Sequence, residues 1–339
     1  MTNRVVVITG ASAGVGRAVA QEFAREGARI GLIARGVEGL EGAKREVEEL
    51  GGKALVLPLD VADAEAVERA AQKVEETFGP IDIWVNNAMA TVFGPIRELT
   101  AEEVRRVTEV TYLGFVFGTL SALRRMLPRD RGTIVQVGSA LAYRGIPLQA
   151  AYCGAKHAIQ GFNDSLYSEL IHDRSRVRLT MVNLPAINTP QFDWSRSRMP
   201  RRAQPVPPIF QPEVAARAIV WAADHDRREL NVGWPSTKAI VGNNFFPRYG
   251  DHYLAENGWD SQMTDEPENP GRPDNLFEPV RGDFGSHGRF DTRSSSRSVH
   301  LEVNLNRGMV IAAIAGVGLI LLAAAKKKGR RRRPLRAKG

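Results

Sequence analysis

At 339 residues, with 43% hydrophobic and 25% charged side chains, the chain has the length of one large domain with extensions or two small ones, and a composition that excludes collagen-like, wholly disordered and polytopic membrane classes. A single cysteine, Cys153, excludes an internal disulfide framework, and without a Cys/His cluster no metal site is expected. The net charge of +8 is local: the last 14 residues hold nine Lys or Arg and no acid, leaving 37 basic against 38 acidic residues elsewhere, so no nucleic acid is expected as a partner.

The chain runs straight into the apolar VVVI without a basic n-region or a long hydrophobic stretch, so no secretory leader is expected. Short β-branched runs then alternate with amphipathic stretches to about Gly258: residues 5–8, 29–33, 54–57, 81–85, 133–137, 177–182 and 229–233. Continuous apolar strands separated by helices predict a parallel sheet covered on both faces, an α/β doubly wound (Rossmann) fold. In DAEAVERAAQKVEETFG the pattern predicts a helix capped by Asp63, closed by Gly79 and buried through Val67, Ala70, Ala71 and Val74.

After the first strand, TGASAGVG places Gly10, Gly14 and Gly16 before a helix, with Ser12 and Val15 in the same turn. Glycines let the backbone approach a diphosphate, and a helix start offers it free N–H groups, so this turn is expected to hold a dinucleotide. At the end of the second strand an acid would accept from the adenosine ribose and repel a 2′-phosphate. Ala34 and Arg35 stand there instead, which favours NADP(H) over NAD(H), with Arg17 and Ser12 as helpers.

Ser139 follows the strand TIVQVG at the end where such sheets bind ligands, and in YCGAK the four-residue spacing puts Tyr152 and Lys156 on one helix face. A fixed ammonium beside a phenol favours the phenolate, bringing proton exchange nearer neutral pH. With these residues in view, the chain resembles the short-chain dehydrogenase/reductase family: TGxxxGxG, the pair Asp60–Val61, NNA, Ser, YxxxK and Pro-x-x-x-Thr occur in order between Val5 and Thr189. The resemblance implies Tyr152 as general acid or base, Lys156 holding the nicotinamide ribose and lowering the phenol pKa, and Ser139 hydrogen-bonding the substrate oxygen. It also implies Asp60 and Val61 flanking adenine, Asn87 and Ala88 lining the cofactor floor, and Pro185, Ile187 and Thr189 closing over the nicotinamide. Dimers or tetramers are the family's usual assemblies.

Two positions depart from the family pattern. Met89 replaces the glycine of NNAG, and Thr111 replaces a helix asparagine that supports a proton relay; Thr111 keeps one hydroxyl but loses the amide's separate donor and acceptor. Cys153 reads as small apolar filler and His157 as packing or surface.

Residues 189–210, TPQFDWSRSRMPRRAQPVPPIF, mix aromatic and aliphatic side chains with Arg196, Arg198, Arg201 and Arg202. They are expected to form a lid, suited to a lipophilic substrate with an anionic end. Residues 259–307 are rich in Pro, Gly, Ser and charge and read as a linker or loose extension of the 1–258 domain. Residues 308–325 contain 17 uncharged residues, Met309 to Ala325, the lower edge of what spans a bilayer, and 326–339 are polybasic. The expectation is an NADP(H)-dependent oxidoreductase of carbonyl or secondary alcohol substrates, membrane-associated and facing the cytoplasm. The alternative is a non-catalytic dinucleotide-binding sensor or scaffold at a membrane.

Overall fold

The computed structural model describes residues 3–308. Seven parallel strands form one sheet: β1 (Val5–Thr9), β2 (Arg29–Ala34), β3 (Lys53–Pro58), β4 (Ile83–Asn86), β5 (Thr133–Ser139), β6 (Arg178–Leu184) and β7 (Glu229–Asn231), in the order β7-β6-β5-β4-β1-β2-β3. All seven apolar runs became these strands. The chain leaves β3 at one edge and returns to pair β4 on the other side of β1, so a crevice opens between the carboxyl ends of β1 and β4, where open α/β sheets bind ligands.

Helices α1 (Gly14–Arg25), α2 (Val37–Glu49) and α7 (Pro212–Asp224) cover one face through Val19, Phe23, Leu40, Val47 and Ile219. The other face carries α3 (Ala64–Phe78), α4 (Ala101–Thr108), α5 (Gly114–Met126) and α6 (Ala150–His172), packed through Val67, Val74, Val107, Met126 and Leu166. Helix α3 has the expected cap, with Asp63 Oδ1 accepting from Ala66 N at 2.9 Å, and Gly79 closes it at φ 93°. Between α4 and α5 the helix widens by a π-turn over Glu109–Leu113, which contains Thr111.

The expected linker is not loose. After α8 (Gly233–Phe245) and α9 (Pro247–Asn257), residues 263–267 pair antiparallel with Arg201–Ala203, and Ser294–Ser295 pair with Ile209–Phe210. Helix α10 (Val299–Leu305) then packs on α8. Leu276 is fully buried in the core of the α3/α6 face, and Leu301 in the core of the α1/α7 face. The segment therefore passes from one face of the sheet to the other across the carboxyl ends of the strands. Its apolar residues are isolated plugs rather than a periodic stripe, which is why the sequence reads as a linker. The proposed membrane segment, Met309 to Ala325, and the polybasic tail lie outside the described residues, and no helix among those described is long and apolar enough to cross a membrane.

Candidate active site

A cavity of about 470 Å³ runs along the crevice, from Arg35, Asp60 and Val61 at one end to Ser139, Tyr152 and Pro185 at the other. Each wall is an element's end. β1 delivers the turn Gly10–Val15, β2 ends at Arg35, β4 at Asn87 and Ala88, β5 at Ser139, and β6 at Pro185, Ile187 and Thr189, all of which line the cavity.

The turn can take an anion. Gly10 and Gly14 adopt φ 68° and 58°, a backbone that L side chains resist, and a Cβ on Gly14 would lie 3.1 Å from the Thr189 side chain. Helix α1 has no side-chain cap at Ala13 and no acid in its first turn, so its dipole meets the cavity without an internal counter-anion. Gly16 does not reach the cavity; a Cβ there would lie 2.2 Å from the Gly10 carbonyl oxygen, so its part is to let the helix close on the turn. Asn87 ties the same turn down, donating from Nδ2 to the carbonyls of Thr9 at 3.0 Å and Gly10 at 3.3 Å.

At the other end the expected trio converges. Tyr152 and Lys156 lie on α6 and Ser139 ends β5, all three lining the cavity, with Ser139 Oγ accepting from Leu141 N at 3.1 Å. Lys156 is buried, its Nζ donating to the Val137 carbonyl at 2.7 Å and lying 4.5 Å from the Phe115 ring centroid. Burial pushes this ammonium down to about 7. Burial also pushes the Tyr152 phenol above its ordinary value, only partly offset by the neighbouring Ser139 hydroxyl. The expected lowering of the tyrosine by its lysine is not among the influences on it: desolvation dominates, and it acts on both groups. An ammonium has three donors, and one is engaged here, so Lys156 retains donors for a vicinal diol such as a ribose. That feature, with the glycine turn at the far end of the same cavity, fits a dinucleotide.

Thr111 does not line the cavity. Its hydroxyl donates to Ala90 O at 2.9 Å and accepts from Ala90 N at 3.0 Å, which tethers the loop after β4 to the π-turn and leaves no proton for a relay. Cys153 is buried, and His157 is exposed with Nδ1 at 2.8 Å from the Cys153 carbonyl, both in keeping with packing and surface roles.

The arginine lid is corrected. Arg198 pairs with Glu103 at 2.6 Å, Arg196 with Asp274 at 2.9 Å, Arg202 with Asp193 and Glu266 at 2.9 Å, and Arg201 with Asp260. Burial works against the Glu103 charge, but the Thr100 amide and Arg198 hold its carboxyl below the usual range. None of the four arginines lines the cavity; three of them clamp the C-terminal extension, and the segment instead gives the cavity Phe192 and Trp194.

The sequence reading missed the cavity's outer wall. Asn275, Pro279, Val280, Gly282 and Phe284 of the extension line the nucleotide end. Arg35 donates to the carbonyls of Phe277 at 2.6 Å and of Asn275, and Arg106 donates to Leu276 O at 3.0 Å while pairing with Asp60. Arg17 is buried between Glu46 and Asp283, so it anchors this wall rather than helping a 2′-phosphate. Gly14 N donates to Gly285 O at 3.0 Å, joining the wall to the glycine turn itself. We call residues 275–285 the clasp. Its only sequence signal is a pair of carboxylates, Glu278 and Asp283, among turn residues.

The model of the family described as short chain dehydrogenase matches residues 4–199. An uncharacterized oxidoreductase of Bacillus subtilis, YxnA, is 31% identical over 329 residues, covering 96% of this chain and 92% of its own, a span that includes most of the C-terminal extension. A fatty acyl-CoA reductase of Acinetobacter baylyi is 29% identical over 65% of this chain and 72% of its own. Among solved structures, a putative short-chain alcohol dehydrogenase from Sinorhizobium meliloti shares 30% identity at a TM-score of 0.51, covering 54% of this chain and 72% of its own. A doubly wound sheet whose strand ends bring a glycine turn, a serine and a Tyr–Lys pair onto one cavity agrees with that match, and the chain belongs to the short-chain dehydrogenase/reductase family of NAD(P)-dependent oxidoreductases.

Proposed function

We propose that this chain interconverts a lipophilic carbonyl compound and its secondary alcohol, using NADP(H) in preference to NAD(H). The observation that carries this reading is the convergence of Ser139, Tyr152 and Lys156 on the cavity whose other end is the glycine turn. A bound dihydronicotinamide supplies a hydride to the carbonyl carbon. Ser139 Oγ orients the substrate oxygen, and Tyr152 Oη gives it the proton that completes the alcohol; in oxidation Tyr152 receives that proton. Lys156 holds the nicotinamide ribose beside the phenol, and Asp60, Val61, Asn87, Ala88, Pro185, Ile187 and Thr189 fix the two ends of the dinucleotide.

Preference for NADP(H) rests on Arg35. Its guanidinium is oriented by backbone carbonyls and has no carboxylate in ion-pair contact among the described residues, while the nearby Asp60 is taken by Arg106. The positive charge therefore stays available to a 2′-phosphate. A lipophilic substrate suits the apolar lining beyond Tyr152, formed by Leu141, Ile146, Phe192, Val206 and Leu254. Similarity to a fatty acyl-CoA reductase points the same way.

The reading extends to location and assembly. The uncharged stretch Met309–Ala325 followed by a polybasic run supports attachment to a membrane, with the catalytic domain on the cytoplasmic side where the stretch dips into or lies along the interface rather than spanning it, and the exposed Leu120 and Ile171 offer apolar surface for a homo-oligomer. Consumption of NADPH against a panel of apolar ketones and aldehydes tests the chemistry. Tyr152→Phe should lower turnover by about 10²–10⁴-fold and leave NADPH binding intact. Binding without turnover in the unaltered protein would favour the non-catalytic sensor instead.

A further inference from the structure

Helix α8 has its apolar residues on the wrong side. Trp234, Val241 and Phe245, with Lys238 among them, follow one another at spacings of three and four and form an exposed stripe, while Gly233, Ser236 and Ile240 on the opposite side are buried. The chain continues through Phe246 into α9, where Tyr249 and Tyr253 are exposed four residues apart. Phe245, Phe246 and Tyr249 are 73%, 69% and 72% exposed. Among the described residues, every exposed large aromatic side chain except Phe284 lies on this hairpin. Scattered surface apolar residues need no explanation, but a contiguous aromatic patch does.

We propose that the α8–α9 hairpin is a docking surface for an anionic lipid bilayer. The hairpin mixes tryptophan, tyrosine and phenylalanine with the exposed cations Lys238 and Arg248, the side-chain mixture that settles at a lipid–water interface; of its two acids, Asp251 is held by Arg144 and Glu256 lies exposed near the end of α9. Helix α10 packs on α8, with the His300 and Trp234 ring centroids 5.7 Å apart and His300 Nε2 3.0 Å from Thr237 Oγ1. The chain therefore leaves the described region beside the hairpin and continues into 17 uncharged residues and then nine Lys or Arg. The described chain thus ends on the side of the molecule that carries the aromatic patch. The same hairpin is a wall of the cavity, through Pro235, Ser236, Ala239 and Leu254, so docking sets the substrate end of the cavity against the lipid.

This inference deepens the membrane reading, and its test separates the two. Cys153 is buried, so full-length protein carrying Phe246→Cys can be labelled at one exposed thiol with a polarity-sensitive fluorophore; Glu65→Cys on α3 serves as a control site. Vesicles of phosphatidylcholine with phosphatidylserine should shift the emission at position 246 to the blue and leave position 65 unchanged. Full-length protein carrying Phe245→Ser, Phe246→Ser and Tyr249→Ser should partition into these vesicles about tenfold less well at an unchanged melting temperature. Co-sedimentation without a shift at position 246 would sustain membrane attachment and overturn the hairpin's part in it. Failure to sediment would overturn both, and a shift that grows with protein concentration in the absence of vesicles would assign the patch to a second copy of this chain.

Discussion

Arg35 is the residue on which the proposed preference for NADP(H) rests, and its surroundings make a quantitative expectation. A charge-assisted hydrogen bond to a 2′-phosphate is worth about 1.5–3 kcal/mol, so Arg35→Ala should raise the NADPH dissociation constant by on the order of 10- to 100-fold and leave that of NADH nearly unchanged, measured by fluorescence titration. Lys156 makes a second expectation. Burial lowers its pKa from an ordinary 10.5 to about 7, so between those values the unfolded chain binds a proton that the folded chain does not. Stability referable to Lys156 therefore rises with pH across that window and is lost as pH falls to about 7. Thermal melts at successive pH values should show the unaltered protein gaining on Lys156→Met from neutral pH upward; parallel curves would refute the buried ammonium. Ser139, Tyr152 and Lys156 were legible in sequence because spacing on a helix and position after a strand fix where they go. Their protonation was not, because desolvation depends on walls brought from elsewhere in the chain.

Among the elements, the strands were the most legible part, since a strand buried on both faces leaves a continuous apolar run. The clasp was the least legible. It has no regular hydrogen-bond ladder and is held by Arg17 of α1, Arg35 just after β2 and Arg106 of α4 reaching its carbonyls and Asp283, contacts that leave no periodicity. The arginine-rich segment misled for the same reason, because each of its four arginines meets at least one carboxylate more than 50 residues away rather than a ligand. If the clasp covers the nucleotide end, loosening it should be visible without any chemistry. Asp283→Asn removes the charge that pairs with Arg17 and is expected to speed both proteolysis within residues 268–285 and NADPH release by several-fold, with saturating NADPH slowing the proteolysis. Cleavage at an unchanged rate would show that the remaining anchors suffice.

Across the whole molecule, the C-terminal extension joins the two faces of the sheet. Leu301, fully buried against α1 and α7, plugs one core and Leu276 plugs the other. Leu301→Ala should therefore cost about 2–5 kcal/mol, read as a lower denaturation midpoint, although the residue lies more than 100 positions beyond the end of the family match. A value near zero would mean that the extension rests on the body without sharing its core.

The place of the clasp in the chain has a consequence for synthesis. A ribosome completes every strand of the sheet by Asn231, and with them Ser139, Tyr152 and Lys156, well before Asn275 emerges. Until then the nascent polypeptide has the proposed catalytic residues but no outer wall on the groove. On the proposed reading, a product terminated before Asn275 would lack the outer wall of the dinucleotide groove and hold its cofactor less well.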